Sequence, residues 1–123
     1  MIGTTISLKG ANGQYVSGNE GREAMICNRD QPGEWEKFTI EDAGNGKVAL
    51  KCMGKYVSSE NGEHPITCNR TSFDDWEKFE LINHADGTIS FKGSNGKYIS
   101  NEGGKSMTCS RENCDGWEKF HTQ

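Results

Sequence analysis

No apolar run in these 123 residues approaches the roughly 20 that a membrane-spanning helix requires, and no charged-then-apolar leader opens the chain. No membrane partner is expected. Nor is there a cluster of lysine and arginine: the formal net charge is -4, opposite in sign to the footprint that phosphates demand, which argues against nucleic acid as well. No CxxC pair or clustered Cys/His spacing marks a metal site, and no Ser-His-Asp signature or Gly-rich phosphate loop marks a catalytic one. No metal, no cofactor and no enzymatic activity are therefore expected. Histidine is confined to His64, His84 and His121, at unrelated places, and each is expected on the solvated surface. A hydrophobic fraction of 32% and 16 glycines describe a thin core with many turns, which suits short strands better than helices.

What is present is a repeat. Trp-Glu-Lys-Phe occurs at 35–38, 76–79 and 117–120, with both steps equal to 41 residues. Cys27, Cys68 and Cys109 keep the same spacing, as do Asn28-Arg29, Asn69-Arg70 and Ser110-Arg111. A tyrosine motif, Gly13 to Ser17, returns at Gly54 to Ser58 and Gly96 to Ser100. The second copy is one residue short between Leu50 and Tyr56, a length change confined to a surface turn. Three symmetry-related cysteines cannot all pair with one another, so Cys27, Cys68 and Cys109 are read as small buried hydrophobes. Cys52 and Cys114 have no counterparts and are read as free thiols.

Each copy carries period-two alternation followed by two turns. Ile6 and Leu8, Val48 and Leu50, and Ile89 and Phe91 open the units. Tyr-Val/Ile-Ser makes a second strand, and 25–27, 66–68 and 107–109 a third. Phe38, Phe79 and Phe120 begin the fourth and are the strongest core candidates. The turns between the second and third strands are rich in Asn and Gly, which supply positive backbone angles. Four strands in three copies make twelve, and a closed threefold arrangement of twelve strands is an all-β β-trefoil. A single domain over 1–123 is expected, with copies at about 4–41, 42–83 and 84–123, and a monomer.

The Gly-x-Tyr-Val/Ile-Ser pattern, Thr67-Cys68-Asn69-Arg70, and the x-Phe entry into the last strand resemble the fascin-like branch of the β-trefoils, over essentially the whole chain. That branch includes actin-bundling proteins, hisactophilins, lectins and carbohydrate-binding modules. The threefold Trp-Glu resembles the trivalent fascin-like modules that bind β-glucans, each lobe of which carries a tryptophan and an acidic residue. The resemblance implies a β-glucan-type polysaccharide as partner and attachment to a secreted glycan-degrading enzyme, hence export. Five unpaired cysteines point instead to a reducing interior and a stand-alone lectin. The alternative function it implies is actin binding, against which stands the absence of a basic patch for actin's acidic surface.

Within the Trp-Glu-Lys-Phe block, a simple strand would send Glu36 to the same side as Phe38, burying an unpaired carboxylate. Either the block starts as a turn or the glutamate meets a donor, and Arg29, Arg70 and Arg111 are the expected partners of Glu36, Glu77 and Glu118. Glu20, Glu60 and Glu102 sit in the hairpin turns, where they are expected to be solvated turn residues or else to reach the same site. Trp35, Trp76 and Trp117 end polar loops and are expected to be at least half exposed, able to stack on a pyranose while nearby carboxylate, Asn and Arg groups bind hydroxyls. The expected binding set is Trp35, Glu36, Arg29 and Asn28; Trp76, Glu77, Arg70 and Asn69; and Trp117, Glu118, Arg111 and Ser110. Three equivalent sites suit a repeating polymer, whereas glycoside hydrolysis needs two carboxylates in different protonation states.

Overall fold

The computed structural model describes residues 1–123 and contains strands and short 3-10 turns, with no α-helix. Strands β1 (Thr5–Ile6), β2 (Leu8–Lys9), β3 (Tyr15–Ser17), β4 (Ile26–Arg29) and β5 (Phe38–Gly44) form the first copy. The second comprises β6 (Lys47–Cys52), β7 (Lys55–Ser58), β8 (Thr67–Arg70) and β9 (Phe79–Asn83). The third comprises β10 (Ile89–Gly93), β11 (Tyr98–Ser100), β12 (Thr108–Arg111) and β13 (His121–Thr122). The strands exceed the expected twelve by one because the opening strand of the first copy breaks at Ser7. There the backbone exchanges two hydrogen bonds with Gln123, at 2.9 and 3.0 Å, so that β1 pairs with β5 while β2 pairs with β13.

That break is the barrel seam. From it the antiparallel order runs β5, β6, β9, β10, and a bridge from Ile89 to Phe120 returns to the last strand, leaving no free edge. Hairpins β3–β4, β7–β8 and β11–β12 lie across one end. They meet in a ring of backbone bonds: Met25 N–H donates to Ile66 O at 2.9 Å, Ile66 to Met107 at 2.9 Å, and Met107 back to Met25 at 3.0 Å. A barrel closed by three hairpins around this ring is a β-trefoil, the all-β architecture read from the repeat.

The core follows the repeat position by position. Leu8, Leu50 and Phe91 come from the opening strands, Val16, Val57 and Ile99 from the second, and Phe38, Phe79 and Phe120 from the fourth, all buried. Each fully buried phenylalanine contributes on the order of 2–3 kcal/mol. They leave an apolar central void of about 10 Å³, at the lower limit for one water and offering it no polar partner. Cys27, Cys68 and Cys109 are buried in this core, as expected for small hydrophobes. His64 and His121 are exposed, but His84 is not the solvated residue expected. Its Nε2 lies 2.7 Å from Ser90 Oγ and 3.6 Å from Cys114 Sγ. Ser90 Oγ already donates to Glu118 O at 2.6 Å, so Nε2 is the donor to it.

Candidate functional site

The Trp-Glu-Lys-Phe block starts as a 3-10 turn in every copy: Glu34–Glu36, Asp75–Glu77 and Gly116–Glu118. Glu36, Glu77 and Glu118 are buried, and each places Oε1 2.8 Å from a backbone N–H three residues earlier, that of Gly33, Asp74 or Asp115. The N–H of each glutamate returns to the carbonyl of the same residue, at 3.2, 3.0 and 3.0 Å. The carboxylate thus satisfies an otherwise unpaired donor and closes the loop on itself, which explains why a buried glutamate costs so little here. The following lysines, Lys37, Lys78 and Lys119, are extended and steer the phenylalanines into the barrel. The tryptophan carbonyls accept N–H bonds of 2.8 Å from Gly18, Ser59 and Asn101, which dock each loop on the hairpin of its own copy.

The expected Arg-Glu brace is replaced by another. Only Arg70 approaches the glutamate of its block, with Nε 4.0 Å from Glu77 Oε2. The arginines instead clamp the hairpin turn, where three successive residues have positive φ: Asn19 to Gly21, Glu60 to Gly62, and Glu102 to Gly104. Arg70 Nη2 donates to both oxygens of Glu60 at 2.9 Å, and Thr67 Oγ1 donates to Oε2 at 2.5 Å. Arg111 Nε donates to Glu102 Oε2 at 2.8 Å, its Nη2 bonds Oε1, and Thr108 donates at 2.5 Å. In the first copy the equivalent of those glutamates is Asn19, which accepts one bond of 3.1 Å from Arg29 Nη2, and Ile26 replaces the threonine.

Glu60 and Glu102 are therefore not solvated turn residues, while Glu20, one position further on, is exposed. The hydrogen bond from Arg111 holds the Glu102 carboxyl below the ordinary glutamate range, against the opposing effect of burial. The arginines also bond their chain neighbours: Arg29 to Asn28 Oδ1 and Arg70 to Asn69 Oδ1, whereas Ser110 Oγ contacts Thr108 Oγ1 at 3.0 Å.

Around this shared frame the copies differ. Trp76 is 39% and Trp117 44% exposed, short of the half expected, and Trp35 is more covered still, packed against the core. The difference follows the hairpin residue beneath the ring. At Gly18 a Cβ would stand only 3.1 Å from Trp35 Cε3, so glycine lets the indole sink. Ser59 and Asn101 carry real Cβ atoms at the same place, and the rings above them sit higher.

In the second copy an open cleft of about 440 Å³ unites Arg70, Thr71, Ser72, Asp74, Asp75 and Trp76 over Glu77. In the third a cleft of about 490 Å³ has a wholly polar lining that includes Ser110, Arg111, Asn113, Asp115 and Glu118, with Trp117 outside it. No cleft gathers Asn28, Arg29, Trp35 and Glu36. There the loop is drawn onto the barrel by Gln14, whose Nε2 donates to Asp30 Oδ1 at 3.0 Å and to Asn28 O at 3.2 Å. Asp74, Asp75 and Ser72 were not among the expected binding residues, although they stand in the same polar loop, directly before Trp76.

No protein family and no curated protein match the sequence. Solved structures match its fold. SeviL, determined bound to the asialo-GM1 saccharide, aligns over 100% of this chain and 98% of its own at 13% identity and a TM-score of 0.83. The BEL β-trefoil aligns over 100% and 94% at 12% identity and a TM-score of 0.80. The Polyporus squamosus lectin, bound to a human-type influenza-binding epitope, aligns over 100% of this chain and 49% of its own at 13% identity and a TM-score of 0.82. Two of these three β-trefoils were thus solved holding a saccharide. At such identities the likeness concerns the fold.

Proposed function

We propose that this chain is a non-catalytic carbohydrate-binding domain with up to three sites, unequal in strength, of which the second copy carries the strongest and the first the weakest. The observation behind this reading is the cleft in which Trp76, three carboxylates, a guanidinium and two hydroxyls line one volume. An indole face offers the apolar contact that the C–H face of a pyranose needs, and the surrounding polar groups offer directional bonds to its hydroxyls. The loop is held by Glu77 from beneath and by the Glu60–Arg70 clamp beside it, so little ordering cost falls on binding. The saccharide complexes of two structural neighbours support the ligand class. β-Glucan is the polymer implied by the resemblance to trivalent fascin-like modules, with Asp74 and Asp75 taking the acidic role in place of the buried Glu77.

Sites held together on one rigid frame gain avidity on a repetitive polymer. Insoluble β-glucan is expected to retain the domain, and Trp76→Ala with Asp75→Asn to abolish most retention while circular dichroism stays unchanged. Undiminished retention of that variant would remove the site. Failure to bind β-glucan, with salt-sensitive co-sedimentation on actin filaments, would replace the proposal with the actin-binding alternative.

A further inference from the structure

The second copy departs from its sisters at the end of its opening strand. Gly10, Cys52 and Gly93 are equivalent there, and the turn that follows contains Asn12 in the first copy and Asn95 in the third, while the shorter turn of the second has no asparagine. Each asparagine serves the repeat cysteine twice. Its Nδ2 donates to the carbonyl of Cys27 at 3.0 Å or of Cys109 at 2.9 Å, and its Oδ1 faces the thiol at 3.7 or 3.8 Å. A Cβ added to Gly10 or Gly93 would lie 3.1 or 3.0 Å from that Oδ1, so asparagine in the turn requires glycine at the strand end. The second copy has lost the asparagine, and a side chain stands in the space.

Where that side chain points follows from the sister copies. The same added Cβ would lie 2.8 Å from Cys27 Sγ in the first copy and 2.8 Å from Cys109 Sγ in the third. Across a disulfide, the Cβ of one cysteine and the Sγ of its partner are separated by about 3 Å, as the S–S bond length and tetrahedral sulfur angle dictate. A cysteine at position 52 therefore starts from the geometry of a bridged pair with Cys68. Cys52 is 1% and Cys68 0% exposed. Cys68 Sγ lies 3.9 Å from Cys52 O and 3.5 Å from Lys55 O, and Cys52 Sγ lies 3.6 Å from Glu34 O, so both are free thiols facing backbone carbonyls at the same strand end.

Room for two sulfurs comes from Gly18, whose absent Cβ would contact Cys68 Cβ at 3.4 Å and Sγ at 3.5 Å. The equivalents of Gly18, Ser59 and Asn101, overlie the glycines Gly93 and Gly10 instead. Burial pushes the Cys27 and Cys109 thiols up to about 11. Cys52 is also raised, first by the neighbouring Cys68 thiol and then by burial, while the Cys52 thiol lowers Cys68.

We propose that Cys52 and Cys68 are an intrachain disulfide site, the one covalent link this fold is built to accept. With a low-molecular-weight disulfide as oxidant, one protein thiolate attacks it to give a mixed disulfide and releases one small thiol. The second protein thiolate then displaces the other small thiol, so one S–S bond breaks, one forms, and the two protons leave with the small thiols. Both sulfurs are buried, so exchange runs during folding or through opening of the β7–β8 hairpin. The bond closes the segment 52–68, which carries Glu60 and Thr67, and so ties the clamp on Arg70 to the barrel wall.

The test is to refold the urea-unfolded full chain in a buffer of reduced and oxidised glutathione, block remaining thiols, and map the peptides. The expected product has lost two hydrogens, contains a single Cys52–Cys68 linked peptide and three alkylated cysteines, and melts about 10 °C above the reduced protein. Cys52→Ser should fold with the same circular dichroism and melt identically with and without oxidant. A wild-type chain that refolds with five alkylatable thiols, bridges through another pair, or gains the same stability as its Cys52→Ser variant would overturn the proposal. None of these readouts depends on carbohydrate binding.

Discussion

In the second copy Arg70 grips Glu60 through both carboxylate oxygens at 2.9 Å, and Trp76 stands over an open cleft; in the first, Arg29 makes one bond of 3.1 Å to the neutral Asn19, and Trp35 lies against the core. The Trp-Glu-Lys-Phe letters are identical in the two. What separates them lies in the neighbouring hairpin, where Ser59, Glu60 and Thr67 correspond to Gly18, Asn19 and Ile26. A motif can therefore hold its backbone role in every copy while its surface role depends on residues outside it. Glu36 and Glu77 close their loops identically at 2.8 Å, while Trp76 stays 39% exposed and Trp35 packs against the core.

The largest effect expected from breaking this contrast is the loss of the second-copy clamp. Glu60→Ala strands Arg70 and Thr67 beside an emptied, largely buried position. It should cost about 2–3 kcal/mol in urea denaturation, against less than about 1 kcal/mol for Asn19→Ala. Gly18→Ser tests the other half of the contrast by giving the first copy the second copy's Cβ. With Trp35 Cε3 only 3.1 Å away, and Cys68 also in contact, it should destabilise by about 1–2 kcal/mol and raise quenching of Trp35 fluorescence by acrylamide.

The smallest effect is one of pH. The Glu102 carboxyl is depressed in the folded state, so its contribution is present above the ordinary glutamate value of about 4.3 and is lost as pH falls through the lower folded value. Arg111 is 54% exposed, so the contribution should stay below about 1 kcal/mol, and Glu102→Gln should flatten that limb of the stability profile by this amount. The first copy, with Asn19, adds nothing to the same limb.

The repeat made the fold readable. Spacing placed Phe38, Phe79 and Phe120 in the core, the tyrosine strands beside them and a barrel around both, because a period of 41 admits one strand plan per copy. The site was readable only in part. The conflict of a glutamate beside a core phenylalanine is legible in the sequence, but its resolution by a backbone donor is invisible in side-chain spacing, and the expected Arg-Glu pairing survives only as the 4.0 Å approach of Arg70 to Glu77. Matching Glu20 with Glu60 by residue type concealed that Asn19 is the true equivalent. The paired change of Glu60 and Thr67 to Asn19 and Ile26 is the signal that could have exposed it, since a carboxylate and its hydroxyl donor leave together. The depth of each indole was beyond the motif, because it is set by Gly18, Ser59 or Asn101 from another strand.

The dependence of each tryptophan on the hairpin residue beneath it is measured by titrating a soluble β-glucan oligosaccharide into Trp35→Ala, Trp76→Ala and Trp117→Ala by calorimetry. The expected result is about tenfold weaker binding for Trp76→Ala, a smaller loss for Trp117→Ala, and a change of less than about twofold for Trp35→Ala. Equal losses in all three, or the greatest loss at Trp35, would contradict it.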